Sequence, residues 1–251
     1  MVGHVTAPVV ALAERLPEWI TLVRAPNPGP MTLDGTNSWV LTAPRGRTVV
    51  VDPGPADEGH LARLLGYRPS LILVTHGHPD HVEGLPLLGD IPVWRATEER
   101  RSLAGLDIQL LATPGHTDDS VCFRVEVDGE RAVLTGDTIL GRGTTIVDGD
   151  LGDYLRSLER LEGLGAVPVL PGHGPALADC GAAARAYLDH RLARLAQVRD
   201  ALAAGARTAR EVVEVVYADV DRAVWPAAEA TVAAQLAYLE SSPPDVRWDT
   251  P

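Results

Sequence analysis

Along roughly the first two thirds of the chain, short apolar runs alternate with polar breaks rich in Gly and Pro. That is the pattern of buried strands joined by loops. It predicts strands at Ile20 to Ala25, Ser38 to Thr42, Arg47 to Val51, Leu71 to Val74, Ile91 to Trp94, Ile108 to Thr113, Val121 to Val127, Arg131 to Thr135 and Val167 to Leu170. Asp128-Gly129 between two of these runs has the chemistry of a type I′ hairpin turn. Helical spacing appears at Asp57 to Leu65, briefly at Leu85 to Leu88, and at Tyr154 to Leu161, read as a surface helix. From Ala182 the composition shifts to Ala, Arg, Glu and Leu at helical spacing. Arg185 to Ala204 reads as one long amphipathic helix and Ala227 to Glu240 as another. Between them Thr208-Ala209-Arg210-Glu211 has the spacing of a capping box that starts a shorter one. Ser241 to Pro251 trails off, rich in Pro and Asp.

Composition narrows the class. The chain has 251 residues, 45% hydrophobic and 22% charged, enough for one sizeable domain with an appendage. Its formal charge of −12 argues against a broadly basic surface that coats nucleic acid. Every basic residue is Arg, which excludes Schiff-base and P-loop lysine chemistry. Two cysteines, Cys122 and Cys180, form no disulfide framework, so a reducing cytoplasm is the expected compartment. Val5 to Ala13 is mildly apolar but lacks a preceding positive region, and Glu14-Arg15 follow at once. No signal peptide and no membrane span are expected.

The chemistry gathers where strands end. Directly after Leu71-Ile72-Leu73-Val74, the six positions from His76 to His81 hold three histidines and Asp80. Imidazole nitrogens and carboxylate oxygens are the ligands that a divalent ion such as zinc takes. His76 and His78 are spaced to converge on one ion, and Asp80 and His81 are better placed for a second. Three further strand ends carry Pro114-Gly115-His116-Thr117, Gly136-Asp137-Thr138 and Pro171-Gly172-His173-Gly174. Asp52, closing the strand Arg47 to Val51, is either a turn initiator before Pro53-Gly54 or a hydrogen-bonding support for the histidine loop.

These four motifs, in this order, resemble the metallo-β-lactamase superfamily, whose HxHxDH signature is met by His76 to His81; the resemblance spans about residues 20 to 175. The stretch NPGPMTLDGTN, Asn27 to Asn37, resembles a loop of the lactamase-β-2-like branch, and the metal motifs resemble those of glyoxalase II and RNase Z type hydrolases. The resemblance implies an α/β fold, an αββα sandwich over residues 1–181, with a C-terminal helical, winged-helix-like appendage over 182–251. It implies two zinc ions per chain, one held by His76, His78 and His116, the other by Asp80, His81 and His173, with Asp137 bridging. It further implies hydrolysis by a metal-bridging hydroxide, with Asp80 and Asp137 as catalytic residues and no protein nucleophile. Asn37, Asp52, Arg142, Thr144 and Thr145 are expected to support the metals or line the cleft, Arg142 near an anionic substrate. No family motif supplies an acid for the leaving group.

Substrate class stays open between acyl and phosphodiester bonds. The acidic charge favours a small-molecule ester or thioester over RNA, which is the alternative substrate, for an endoribonuclease. A non-catalytic regulatory protein is the third reading, opposed by the completeness of the ligand set. The predicted middle helix carries Glu211 and Glu214 beside Arg210, a poor face for phosphates, so the appendage is expected to wall the cleft rather than bind DNA. His190 carries no ligand role in this reading. Oligomeric state is left open.

Overall fold

The computed structural model describes residues 12, 16–94 and 100–241. The stretch read as lacking a signal peptide, Leu12 apart, and the tail beyond 241 lie outside them. Among these residues ten strands form two five-stranded sheets. The first sheet runs in chain order: β1 (Ile20–Arg24), β2 (Asn37–Thr42), β3 (Thr48–Val51), β4 (Leu71–Leu73) and β5 (Val93–Trp94). β1 to β3 pair antiparallel, then β3, β4 and β5 pair parallel. The second sheet contains β6 (Arg100–Leu103), β7 (Leu106–Ala112), β8 (Val121–Val127), β9 (Glu130–Gly136) and β10 (Val169–Pro171), ordered β10-β9-β8-β7-β6.

Period-two alternation builds three layers of core from these strands. Trp39, Leu41, Val49, Val51 and Leu73 face Ile108, Leu110, Phe123, Val125 and Leu134 between the sheets. Their neighbours Val40, Val50 and Ile72 point the other way, onto Leu61 and Leu64 of α1 (Glu58–Gly66). On the far face, Leu111, Cys122 and Val133 pack under α3 (Leu151–Glu162) and α4 (Cys180–Ala203). The result is helix, sheet, sheet, helix, the expected αββα sandwich. The helix expected at the surface over Tyr154 to Leu161 is longer, and it buries Tyr154, Leu155, Leu158 and Leu161.

Other expectations shift for identifiable reasons. β6 was not expected, because Arg100-Arg101-Ser102-Leu103 carries the charge of an exposed edge strand rather than an apolar run. It joins β7 through Ala104 and Gly105, both at positive φ, and an alanine there gives no turn signal. Asp128 and Gly129 also have positive φ, as the predicted type I′ turn requires. The long helix begins at Cys180 rather than Arg185, since Asp179 caps it by accepting from the Ala182 amide at 2.9 Å.

α4 serves two cores. Its first half packs through Ala184, Tyr187 and Leu188 with α3, and Val198 and Ala201 pack with α5 (Ala209–Val216) and α6 (Trp225–Ser241). The capping box at Thr208 and Glu211 is present, with both reciprocal hydrogen bonds formed. Arg210 on α5 is engaged by Glu214 and Glu229. No helix among the described residues is long and apolar enough to cross a membrane.

Candidate metal centre

Strand ends and the loops beyond them converge on one edge of the sandwich. After β4, Thr75 to His78 leave the sheet, and Pro79–Val82 form a single helical turn, α2, where the sequence suggested only a loop. Proline at the first helical position suits that turn. His116 follows β7, Asp137 follows β9, and His173 follows β10. The loops are stitched by main-chain bonds: Gly172 N donates to Gly136 O at 2.8 Å, Asn37 N to Gly172 O at 2.7 Å, and Val121 N to Thr75 O at 2.8 Å.

Close approach requires glycine at two of these points. A β-carbon on Gly172 would collide with Asp137 Oδ1, and one on Gly136, at φ +48°, with the Thr75 side chain.

Ring nitrogens face each other across small gaps. His76 Nε2 and His116 Nε2 lie 3.0 and 3.1 Å from His78 Nδ1, and His81 Nε2 lies 3.3 Å from His173 Nε2. A tetrahedral ion with nitrogen ligands at about 2.05 Å sets those nitrogens about 3.3 Å apart. The spacing therefore matches the edges of a metal's coordination shell. Among the described residues three groups have ligand atoms mutually within 4.8 Å: His76/His78/His116, His76/His81/Asp137 and Asp80/His81/His173. Asp137 lies between the two His-rich sets. Its Oδ2 is 3.7 Å from His116 Nε2 and 3.3 Å from His173 Nε2, while Oδ1 is buried with no hydrogen-bond partner. His81 Nε2 lies 3.5 Å from that Oδ1, and a buried carboxylate oxygen without a hydrogen bond among imidazoles is what a cation would complete.

The second nitrogen of four rings is also held. Asp52 Oδ2 is 2.9 Å from His81 Nδ1, Ile146 O is 2.8 Å from His116 Nδ1, and Gly35 O is 3.4 Å from His173 Nδ1. Thr75 Oγ1 lies 3.0 Å from His76 Nδ1 and donates to Asp52 Oδ2 at 2.6 Å. Asp52 also accepts from the Thr75 amide at 2.8 Å, and does so from a backbone at φ +53°. Left-handed backbone in a buried non-glycine residue is strain held by its surroundings. Thr36 Oγ1 donates to Asp80 Oδ2 at 3.0 Å.

The electrostatics divide the rings. Burial holds His76 at about 2 and lowers His116, so both are neutral and have a lone pair free for a ligand bond. Burial also acts on His81 and His173, but there the carboxylates win. Asp137 and Asp52 raise His81, and hydrogen bonds to Asp137 and Asp80 lift His173 to about 9. Against its own burial, Asp80 is held at about 2 by His173 and His81, and Asp137 is likewise pulled well down.

Other expected residues take different places. Asn37 is buried, and its amide donates to Pro171 O at 3.0 Å and Gly174 O at 2.8 Å, so it secures the His173 loop. Thr145 Oγ1 lies 3.2 Å from His116 Nδ1, whereas Thr144 is exposed. Arg142 makes a two-pronged, exposed ion pair with Asp34 at 2.9 and 3.0 Å, tying the 141–147 loop to the Asn27 to Asn37 loop. Thr36, Thr75 and the Gly35 and Ile146 carbonyls were not singled out from the sequence. Thr75 alone had a signal, its position directly before His76.

A family model for the metallo-beta-lactamase superfamily matches residues 31–96 and 86–173. This chain belongs to that superfamily. It is a hydrolase of the superfamily, and a beta-lactamase associated winged helix domain matches residues 208–242. Among relatives, it is 32% identical over 245 residues to a beta-lactamase-like protein 2 homolog of Caenorhabditis elegans, covering 86% of this chain and 82% of that one. It is 33% identical over 237 residues to an atrochrysone carboxyl ACP thioesterase of Aspergillus chevalieri, covering 82% and 76%. A metallo-beta-lactamase family protein from Thermus thermophilus shares the fold at a TM-score of 0.74 and 24% identity, over 90% of this chain and 94% of that one.

Proposed function

We propose that this superfamily hydrolase is a binuclear zinc enzyme that cleaves an acyl thioester or ester of a small molecule. The observation that carries the reading is the pair of ligand sets meeting at Asp137, whose Oδ1 is buried without a hydrogen bond. The thioesterase relative, aligned over 82% of this chain, supports the acyl substrate. In this reading His76, His78 and His116 would hold one ion and Asp80, His81 and His173 the other, and Asp137 would serve both. When bound, two such ions supply Lewis acidity at the scissile carbonyl and lower the pKa of water towards neutrality.

The protein's part is positioning and proton handling. His76 and His116 are neutral ligands, and their second nitrogens are fixed by Thr75 and Ile146. Asp80 is more exposed than Asp137, with 27% of its side chain accessible against 10%, so it lines the open side of the centre. Its contacts with Thr36, His81 and His173 all run through Oδ2. Oδ1 is then available to orient the attacking water and to pass its proton to the departing atom. Asp137, embedded between the ligand sets, stays ionised throughout. The Arg142–Asp34 pair fixes the two rim loops relative to each other rather than offering a free cation to the substrate.

The deciding experiment is a substrate panel with zinc-loaded protein: acyl thioesters, esters, lactones and single-stranded RNA. Chelator-sensitive turnover of thioesters or esters is expected. RNA cleavage without acyl hydrolysis would overturn the acyl reading.

A further inference from the structure

The loop from Leu140 to Val147 has no regular structure, yet Thr145 and Val147 are buried. No ladder holds such a segment, so its main-chain groups need partners from elsewhere. The C-terminal helices supply several of them. Tyr187 on α4 accepts from Leu140 N at 3.0 Å and donates to Gly143 O at 2.9 Å. One helical turn later, Arg191 Nη2 donates to Thr145 O. On α6, Thr231 Oγ1 accepts from Val147 N at 3.4 Å.

Those last two anchors flank a single carbonyl, that of Ile146, which takes the His116 Nδ1–H at 2.8 Å. Arg191 is 3% exposed, its guanidinium carbon lies 5.5 Å from the centre of the Tyr154 ring, and its Nε has no hydrogen-bond partner. Burying a guanidinium against a carbonyl and a ring face is costly compared with an apolar side chain of the same size. Its effect is to fix one peptide.

We propose that Arg191 and Thr231 are positioning residues for His116, acting through the Thr145-Ile146-Val147 main chain. The Ile146 carbonyl, so placed, keeps the His116 proton on Nδ1 and leaves Nε2 bare towards His78 and Asp137. The C-terminal helices α4 and α6 thereby set the tautomer of a residue at the centre. The consequence for metal binding rests on the reading of His116 as a ligand; the consequence for the tautomer does not.

The test uses full-length protein with 15N-labelled histidine, stripped of metal, and long-range proton–nitrogen correlation spectra. Wild type should show His116 protonated at Nδ1 only. Arg191→Met should show mixed tautomers, Arg191→Lys should retain more of the Nδ1–H form, and Thr231→Val should show a smaller loss. Circular dichroism checks folding, and if Arg191→Met fails to fold, Thr231→Val decides the matter. An unchanged His116 tautomer in the folded variants overturns the proposal.

A parallel Co2+ titration reads the link to the ion. The His76/His78/His116 set should weaken by about 10–100-fold in Arg191→Met, as for loss of support behind a ligand, with the Asp80/His81/His173 set nearly unchanged. Equal weakening of both sets would contradict a specific role. Wild-type protein that takes up no metal, with the tautomer still responding to Arg191, would instead sink the metal reading and leave this one standing.

Discussion

Asp52 and His81 are joined by a buried contact, Oδ2 to Nδ1 at 2.9 Å, and the same oxygen accepts from Thr75 Oγ1 at 2.6 Å. One carboxylate thus braces two successive parts of the ligand loop, at both ends of the His76 to His81 run. Asp52→Asn isolates this role, because Asn tolerates the left-handed backbone that Asp52 adopts. An amide nitrogen in place of Oδ2 would face donors. Zinc affinity should fall about 10–100-fold, and metal-free stability by about 1–3 kcal/mol. Isothermal titration and urea unfolding read the two, and unchanged affinity would remove Asp52 from the centre's support.

The paired carboxylates and imidazoles predict how the metal-free protein responds to pH. His173 is raised to about 9, so its stabilising contribution is complete below the ordinary 6.5 and is lost as pH climbs from 6.5 to about 9. Asp80 is lowered to about 2, so its contribution holds above 3.8 and is lost as pH falls from 3.8 to about 2. Metal must displace the proton held by the His81/His173 pair, so affinity at that set should rise with pH by about tenfold per unit for each proton released, up to about pH 9. His76 and His116, already neutral near pH 7, should add no such slope at the other set. Zinc titrations at several pH values check this, and equal slopes at the two sets would contradict it.

Gly172→Ala places a methyl against Asp137 Oδ1. The carboxylate must move, and with it the oxygen proposed to join the two sets. Turnover should drop at least tenfold while the protein stays folded, by analogy with displaced groups behind a metal. Wild-type turnover in the Ala variant would show that Asp137 need not sit where it does.

Neither cysteine is placed to act as a nucleophile. Burial pushes the thiol of Cys122 to about 11 and that of Cys180 to about 12; both lie in the same core, Cys122 on the sheet and Cys180 at the start of α4. Cys122→Ser and Cys180→Ser should retain most activity, and mass spectrometry during turnover should find no acyl-protein adduct. A trapped adduct on any side chain would refute direct attack by water.

Legibility in the sequence followed the range of each interaction. The clustering of His76 to His81 could be read because these side chains are close in sequence and follow an apolar run. His116, Asp137 and His173 could be read because each closes another such run, and the sandwich brings strand ends to one edge. The Arg142–Asp34 pair could not, since its partners lie 108 residues apart and only the tertiary fold joins them. Ile146 acts through its carbonyl, which every residue has, so no residue type marks it. Arg191 was hidden for a different reason: helical periodicity counts an arginine as outward-facing, and here α4 packs on two sides. The edge strand Arg100–Leu103 was missed because its charges protect an exposed edge and erase the apolar signal.

The central claim is two ions shared between two ligand sets that meet at Asp137. Elemental analysis of zinc-reconstituted protein, compared with His116→Ala and His173→Ala, tests it most directly. Wild type should hold two zinc ions per chain. Each variant should lose one, His116→Ala from the His76/His78 set and His173→Ala from the Asp80/His81 set, with hydrolysis collapsing in both. A wild-type value of one ion or none after reconstitution, or full hydrolysis by the metal-free protein, would contradict the account.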